Sequence, residues 1–426
     1  MLTACRAGTV ITLAGEKAAR GRAALEAPLR AEDNAVILAK DGVILGTEPY
    51  PAFRRLPAAS FSYTDAGDVC LAPGLINAHC HLELSYTKGK CSGGKGFTHW
   101  LRSLIALLRT PCGTEEARAA TAEAMDEIAA SGTAHVGDVS SRLPGMVSEL
   151  AETRLARRDR NGPYPLTHFL ELIGFSAPAP DPGMPEELRA GSWFLPASAS
   201  LPPRRFADCA PAGHSLYSTA PEALRAAHSM CRLTGRVFSM HLAESPEEDE
   251  CVQNGSGPLH ALMAELLPTP APASGLSPAA LAGKLGLLGP GTLAVHCVRL
   301  SSEDRALLSR SGCAVCLCPR SNDFTASGRA EPALPETEGI LFCLGTDGLS
   351  SNTDLDMRKE TAAARDAYNL PARAVLRMAS INGAAALGLK RLGTLEAGKA
   401  ALFTVLDKDA ARDLTGTGHK KQGRKT

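Results

Sequence analysis

Residues 75–81 read LINAHCH, a short apolar run that ends on two histidines, His79 and His81, with Cys80 between them. Alternate side chains of an extended strand share a side, so both imidazoles point one way and Cys80 the other. Two neutral imidazoles placed like this can bind one metal ion. The pattern recurs down the chain. Residues 238–244, FSMHLAE, carry His241 with Glu244 three positions on; residues 292–297, TLAVHC, carry His296; residues 340–347, ILFCLGTD, end on Asp347. Each residue alone has an ordinary reading as a buried hydrogen-bonded side chain or, for Asp347, a helix cap. Together, four strand ends bearing metal-ligating or proton-carrying groups argue for one site.

These runs belong to a longer series. Residues 70–78, 133–139, 168–174, 214–218, 237–242, 292–298, 314–318 and 340–345 are short apolar stretches alternating with Ala- and Leu-rich helical patterns such as 97–110, 115–131, 221–233 and 355–370. This alternation predicts βα units around a parallel sheet, and eight strands over about 320 residues close an α/β (β/α)8 barrel of the TIM type. Such a barrel places its site at the C-terminal strand ends, where ligands from different strands converge. Residues 1–68 are β-rich, with a strand at 9–13 and two apolar runs in 35–46 around the hairpin signal Asp41-Gly42. After a last helix near 371–387, residues 393–406 regain strand character. The expected organisation is a small β-sandwich domain from 1–68 and 390–412, the barrel at 69–389, and a polar tail at 413–426. The Pro- and Gly-rich segments 178–185 and 267–278 read as surface loops.

Composition narrows the partners. Lys plus Arg number 45 and so do Asp plus Glu, so no overall field draws the chain to nucleic acid or an acidic membrane. The basic end at 419–426 reads as a frayed tail. No stretch approaches the roughly 18 to 20 apolar residues that span a bilayer. The opening MLTACRAGTVITLAG reads as a first strand and not as a secretion signal. Thirteen cysteines without framework spacing point to free thiols in a reducing, cytoplasmic compartment. A small-molecule ligand is expected, with monomer and homodimer both open.

Three histidines and one aspartate make a site with a free position, the catalytic pattern for zinc, with iron(II) or manganese(II) as alternatives. A metal there lowers the pKa of bound water toward about 7. Asp347 can take that water's proton, a protonated Glu244 can donate to a ring nitrogen or leaving group, and His296 can orient the nucleophile. Binuclear sites of this type bridge two ions with a carbamylated lysine on the fourth strand, and no lysine occurs between Lys95 and Lys284. Glu171, in FLELIG, is the one conceivable bridging carboxylate left, so a single metal is expected and Glu171 reads as structural or substrate-facing.

The motifs PGLINAHCHLELS (73–85), HSLYST (214–219), HLAESPEE (241–248), VHCV (295–298), CPRSN (318–322) and LGTDGLSSN (344–352) resemble, in this order, the deaminase branch of the amidohydrolase superfamily. The resemblance covers nearly the whole chain and implies a metal on His79, His81, His241 and Asp347, a proton-shuttling Glu244 and a His296 in contact with the nucleophile. HLELS, FLELIG and CPRSN look most like the aminodeoxyfutalosine deaminases, which convert 6-amino-6-deoxyfutalosine to futalosine in one route to menaquinone. That likeness implies substrate contacts from Glu83, His214, Arg320 and Asn322 as well as Glu171. Glu83 suits a ribose hydroxyl and Arg320 a carboxylate; their ordinary readings are a helix cap, a buried histidine for His214, and an ion pair. Cys80 stands where relatives commonly carry Thr, and the chain ends in a polar tail instead of a longer strand set. Rival substrates on the same site are S-adenosylhomocysteine, methylthioadenosine, adenosine, guanine or a cyclic amide. A non-catalytic scaffold is the rival from another class.

Overall fold

The computed structural model describes residues 1–55, 61–110, 113–154, 166–174, 209–267, 270–332, 334, 337–406 and 414. The expected tail, apart from residue 414, and the loop expected at 178–185 lie outside the described residues. A first sheet is built mainly from the N-terminal segment: β1 Leu2–Val10, β2 Glu32–Lys40, β3 Val43–Pro49, β4 Phe61–Asp65 and β5 Cys70–Pro73. It is completed by β14, Phe403–Leu406, antiparallel to β5. Asp41 and Gly42 join β2 to β3 with φ of 49° and 78°, the two positive values a two-residue hairpin of matched twist needs. Ala7, Val10, Ala35, Ile37, Ile44, Leu71 and Leu395 form this domain's own core.

Eight parallel strands follow in sequence order: β6 Leu75–Cys80, β7 Thr133–Ser140, β8 Leu166–Leu172, β9 Ala210–Gly213, β10 Phe238–Leu242, β11 Thr292–His296, β12 Ala314–Leu317 and β13 Leu341–Leu344. Nearly every strand residue is buried, as expected for strands covered on both faces. The two ends meet through Asn77 on β6. Its Oδ1 accepts from the Thr346 amide at 3.0 Å and its Nδ2 donates to Thr346 Oγ1 at 2.7 Å, while the Asp347 amide donates to the His79 carbonyl at 3.1 Å. The (β/α)8 barrel with its small β domain is therefore realised. Among the described residues no helix is long and apolar enough to cross a membrane.

Three expectations are corrected. Residues 70–78, read as one strand, divide at Gly74: β5 stays with the first sheet and β6 opens the barrel. A Cβ on Gly74 would lie 2.6 Å from that of Ala134, so the crossing depends on glycine. Residues 214–218 are a turn, and the fourth strand is Ala210–Gly213. Its Pro and Gly content hides it from propensity reasoning, whereas the backbone pairs with Phe169–Leu172 regardless. Near the C-terminus the regular strand is Phe403–Leu406, with Ala400 adding an isolated antiparallel bridge to Val43, so most of 393–406 is loop.

Candidate metal and substrate site

The barrel mouth is built from residues whose backbone is turned sharply at the strand ends. Ala243, His296, Cys297 and Asp347 all have positive φ, at 51°, 72°, 49° and 59°. Each such residue costs on the order of 1–3 kcal/mol and persists only when its surroundings over-determine it. After β10, Ala243 turns the chain so that Glu244 faces inward. The Glu248 carboxylate accepts from the amides of Ala243 and Glu244 at 3.1 and 2.7 Å, and Ser245 caps the helix Pro246–Asn254. The sequence HLAESPEE thus encodes strand end, reversal, acid and cap in one run.

His79, His81 and His241 converge, with candidate ligand atoms all within 4.8 Å of one another. The Nε2 atoms of His81 and His241 are 3.3 Å apart, and Asp347 Oδ1 lies 3.6 Å from Nε2 of both His79 and His81. Those last spans are too long for hydrogen bonds. They match two ligands of one tetrahedral ion, since donors about 2.0–2.2 Å from a metal lie about 3.3–3.6 Å from each other. His79 is buried, and neither ring nitrogen has a hydrogen-bond partner among the described residues. Orphaned buried polar atoms are rare, and here a metal would satisfy them. The donor set therefore fits a divalent cation.

The supporting contacts fix each ligand. His81 Nδ1 lies 3.1 Å from the Val139 carbonyl and His241 Nδ1 2.9 Å from that of His214. Asp347 Oδ2 accepts from the hydroxyls of Ser321 and Ser351 at 2.6 and 2.7 Å, and Oδ1 from the Gly348 amide. Burial would raise Asp347, but the close imidazole of His79 and the charges of His81 and His296 hold it well below the usual carboxylate range. Burial pushes His79 down to about 4. Glu244 behaves oppositely. Burial, then the charges of Asp347 and Glu248, raise it well above the ordinary value, which favours the protonated form. Its Oε2 sits 3.6 Å from Nε2 of His296, whose Nδ1 pairs with Asn322 Oδ1 at 2.9 Å.

A cavity of about 280 Å³ opens beside these groups, with His81, His241, Glu244, His296 and Asp347 at its polar end. The opposite wall is apolar. Leu101, Leu104, Ile105 and Leu108 line it from the helix Phe97–Arg109, which Trp100 ties to the Ser350 carbonyl by a 2.8 Å hydrogen bond. This wall was legible as an i, i+3, i+4, i+7 stripe but carried no sign of what it would cover.

The substrate-contact expectations divide. Glu83, Glu171 and His214 line the cavity. Glu83 is already engaged, accepting from the amides of Ser141, Arg142 and Leu143, so it caps a distant loop and not its own following helix. Glu171 Oε1 makes no hydrogen bond among the described residues but lies 3.7 Å from His241 Nδ1, and burial first, then the Glu83 charge, raises its carboxyl well above normal. Burial also takes His214 down to about 3. Arg320 is not brought to the cavity. Its guanidinium turns to Asp354, pairing at 2.8 and 2.9 Å, because this acid lies beside it after β13. Asn322 does not line the cavity either; its Oδ1 pairs with His296 Nδ1. Sequence reasoning missed Ser321 and Ser351, although both lie inside motifs it quoted, and it missed Arg142, which no motif marks.

Residues 204–425 match the amidohydrolase family. A 5-methylthioadenosine/S-adenosylhomocysteine deaminase of Moorella thermoacetica is 30% identical over 352 residues, covering 80% of this chain and 74% of that protein. The chain belongs to the amidohydrolase family. As an amidohydrolase it is a hydrolase acting on carbon–nitrogen bonds. An aminodeoxyfutalosine deaminase of Deinococcus radiodurans is 27% identical over 371 residues, 83% of this amidohydrolase and 81% of that one. Among solved structures, Helicobacter pylori aminofutalosine deaminase in complex with methylthio-coformycin superposes with a TM-score of 0.76 at 23% identity, over 97% of this chain and 96% of that one. An adenosine deaminase from Xanthomonas campestris with bound zinc gives 0.71 at 22%, over 98% and 87%. These two likenesses are of fold.

Proposed function

We propose that this amidohydrolase removes ammonia from C6 of an adenine nucleoside, with 6-amino-6-deoxyfutalosine as substrate and futalosine as product, a step toward menaquinone. The observation that carries this reading is the buried Glu244 carboxyl, 3.6 Å from His296 and beside the histidine cluster, at the polar end of a cavity whose opposite wall is apolar. In this reading His79, His81, His241 and Asp347 hold one divalent ion, zinc, with iron(II) or manganese(II) as alternatives. When bound, the ion supplies water acidified from a pKa of about 15.7 toward about 7. Asp347 takes the water's proton, its Oδ2 held by two serines and its Oδ1 held by the Gly348 amide and facing the histidines. His296, with Nδ1 committed to Asn322, offers Nε2 as an acceptor that orients the attacking water. Glu244 gives its proton to a purine ring nitrogen as water adds at C6; Asp347 then passes its proton to the amino group, the C6–N bond breaks to release ammonia, and the hydroxyl proton returns to Glu244 as the carbonyl forms. Glu83, Glu171 and His214 contact the nucleoside.

A second reading has support from the Moorella relative: a methylthioadenosine or S-adenosylhomocysteine substrate on the same machinery. Among the described residues twelve cysteines are free, which supports a reducing, cytoplasmic setting. The deciding assay incubates metal-loaded protein with a panel of adenine nucleosides and follows ammonia release and the adenine-to-hypoxanthine absorbance change. Turnover of none of them would remove the deaminase reading.

A further inference from the structure

The far end of the cavity carries chemistry that the reacting groups do not use. With Arg320 committed to Asp354, the guanidinium that lines the cavity among the described residues is that of Arg142, on the loop after β7. Its position is fixed twice. The Arg142 amide donates to both oxygens of Glu83, at 3.1 and 2.9 Å, and Nη1 donates to the Leu108 carbonyl at 2.8 Å. Of the five guanidinium N–H donors, one is engaged by a described residue, which leaves a fork suited to a bidentate carboxylate.

The helix Phe97–Arg109 acts as a ruler. Trp100 is held by Ser350, three residues after Asp347, so that part of the helix lies by the polar end. Leu108 is eight residues on, about 12 Å along the axis at about 1.5 Å per residue. Leu101, Leu104, Ile105 and Leu108 line the interval and Arg142 closes it. A ligand matching this sequence of surfaces has a purine nucleoside at the polar end, an apolar body along the wall, and an anion at the tip.

We propose that Arg142 is the specificity-determining residue that selects a 5′ substituent ending in a carboxylate. The inference rests on the adenine-nucleoside reading of the site. The four aliphatic side chains along this interval favour an aryl body over a polar amino-acid chain. The test compares kcat/KM of the metal-loaded full-length enzyme for 6-amino-6-deoxyfutalosine, S-adenosylhomocysteine and 5′-methylthioadenosine, for wild type, Arg142→Met and Arg142→Lys, with thermal midpoints alongside. Wild type prefers the aryl carboxylate. Arg142→Met lowers the ratio of aryl carboxylate to methylthio substrate about ten- to a hundred-fold, as loss of a charged hydrogen bond predicts, and the loss falls in KM. Arg142→Lys, a point charge without the fork, lies between. A wild-type preference for S-adenosylhomocysteine overturns the aryl assignment. An unmoved ratio in both variants overturns the role of Arg142 while the deaminase reading stands; no turnover of any of the three by wild type overturns that reading itself.

Discussion

His81 and His241 stand nearly parallel, 9° apart, with their Nε2 atoms facing at 3.3 Å. Each ring has its Nδ1 against a main-chain carbonyl, so each neutral tautomer carries its proton there and both Nε2 atoms present lone pairs. Two lone pairs at that distance repel unless a cation lies between them. Chelation is therefore expected to destabilise the fold as well as stop turnover. At a free metal concentration a thousandfold above Kd the difference is about 4 kcal/mol. Scanning calorimetry with and without chelator measures it, and coincident transitions would count against metal binding at this cluster. His241→Ala should abolish stoichiometric metal.

Glu244 separates proton transfer from metal binding. Glu244→Gln keeps size and hydrogen bonding but removes the transferable proton, so turnover should fall by roughly 10²–10⁴ while metal content stays that of wild type. Elemental analysis and the ammonia assay on one preparation decide it. An active variant would take Glu244 out of its assigned role.

The Asn322 amide works through His296. Asn322→Ala leaves the His296 Nδ1 without its acceptor and frees the ring to rotate. Outer partners of this kind are worth about 10- to 100-fold. The loss is expected in kcat, with KM little changed, because Asn322 does not line the cavity. A change confined to KM would contradict this.

Glu360 gives the protein a pH dependence away from the reacting groups. Burial raises its carboxyl to about 8 against an ordinary value of 4.5, although the Arg320 amide and guanidinium oppose the shift. The sign follows from proton counts: between pH 4.5 and 8 the folded state keeps a proton that the unfolded state releases, so stability falls as pH rises through this window. The slope from this group is at most about 1.4 kcal/mol per pH unit. Glu360→Gln should flatten urea midpoints across that window, and an unchanged slope would show that Glu360 is ionised in the fold.

Sequence alone carried the alternation of strand and helix, and so the barrel, because burying a parallel sheet on both faces demands apolar runs at that spacing. It also carried the six groups at the mouth, His79, His81, His241, Glu244, His296 and Asp347, because a strand end fixes which side chains face the axis. It misplaced the fourth strand, since residues 210–213 pair through backbone geometry that their Pro and Gly content conceals. What only tertiary structure decided lies in loops: that Arg320 is taken by Asp354 while no acid among the described residues pairs with the Arg142 guanidinium, that Glu83 grips the segment 141–143, and that the stripe on Phe97–Arg109 roofs a cavity. Local patterns say which residues are polar or buried. Which partner a long flexible side chain meets depends on contacts between segments tens or hundreds of residues apart, and only the closed barrel brings those together.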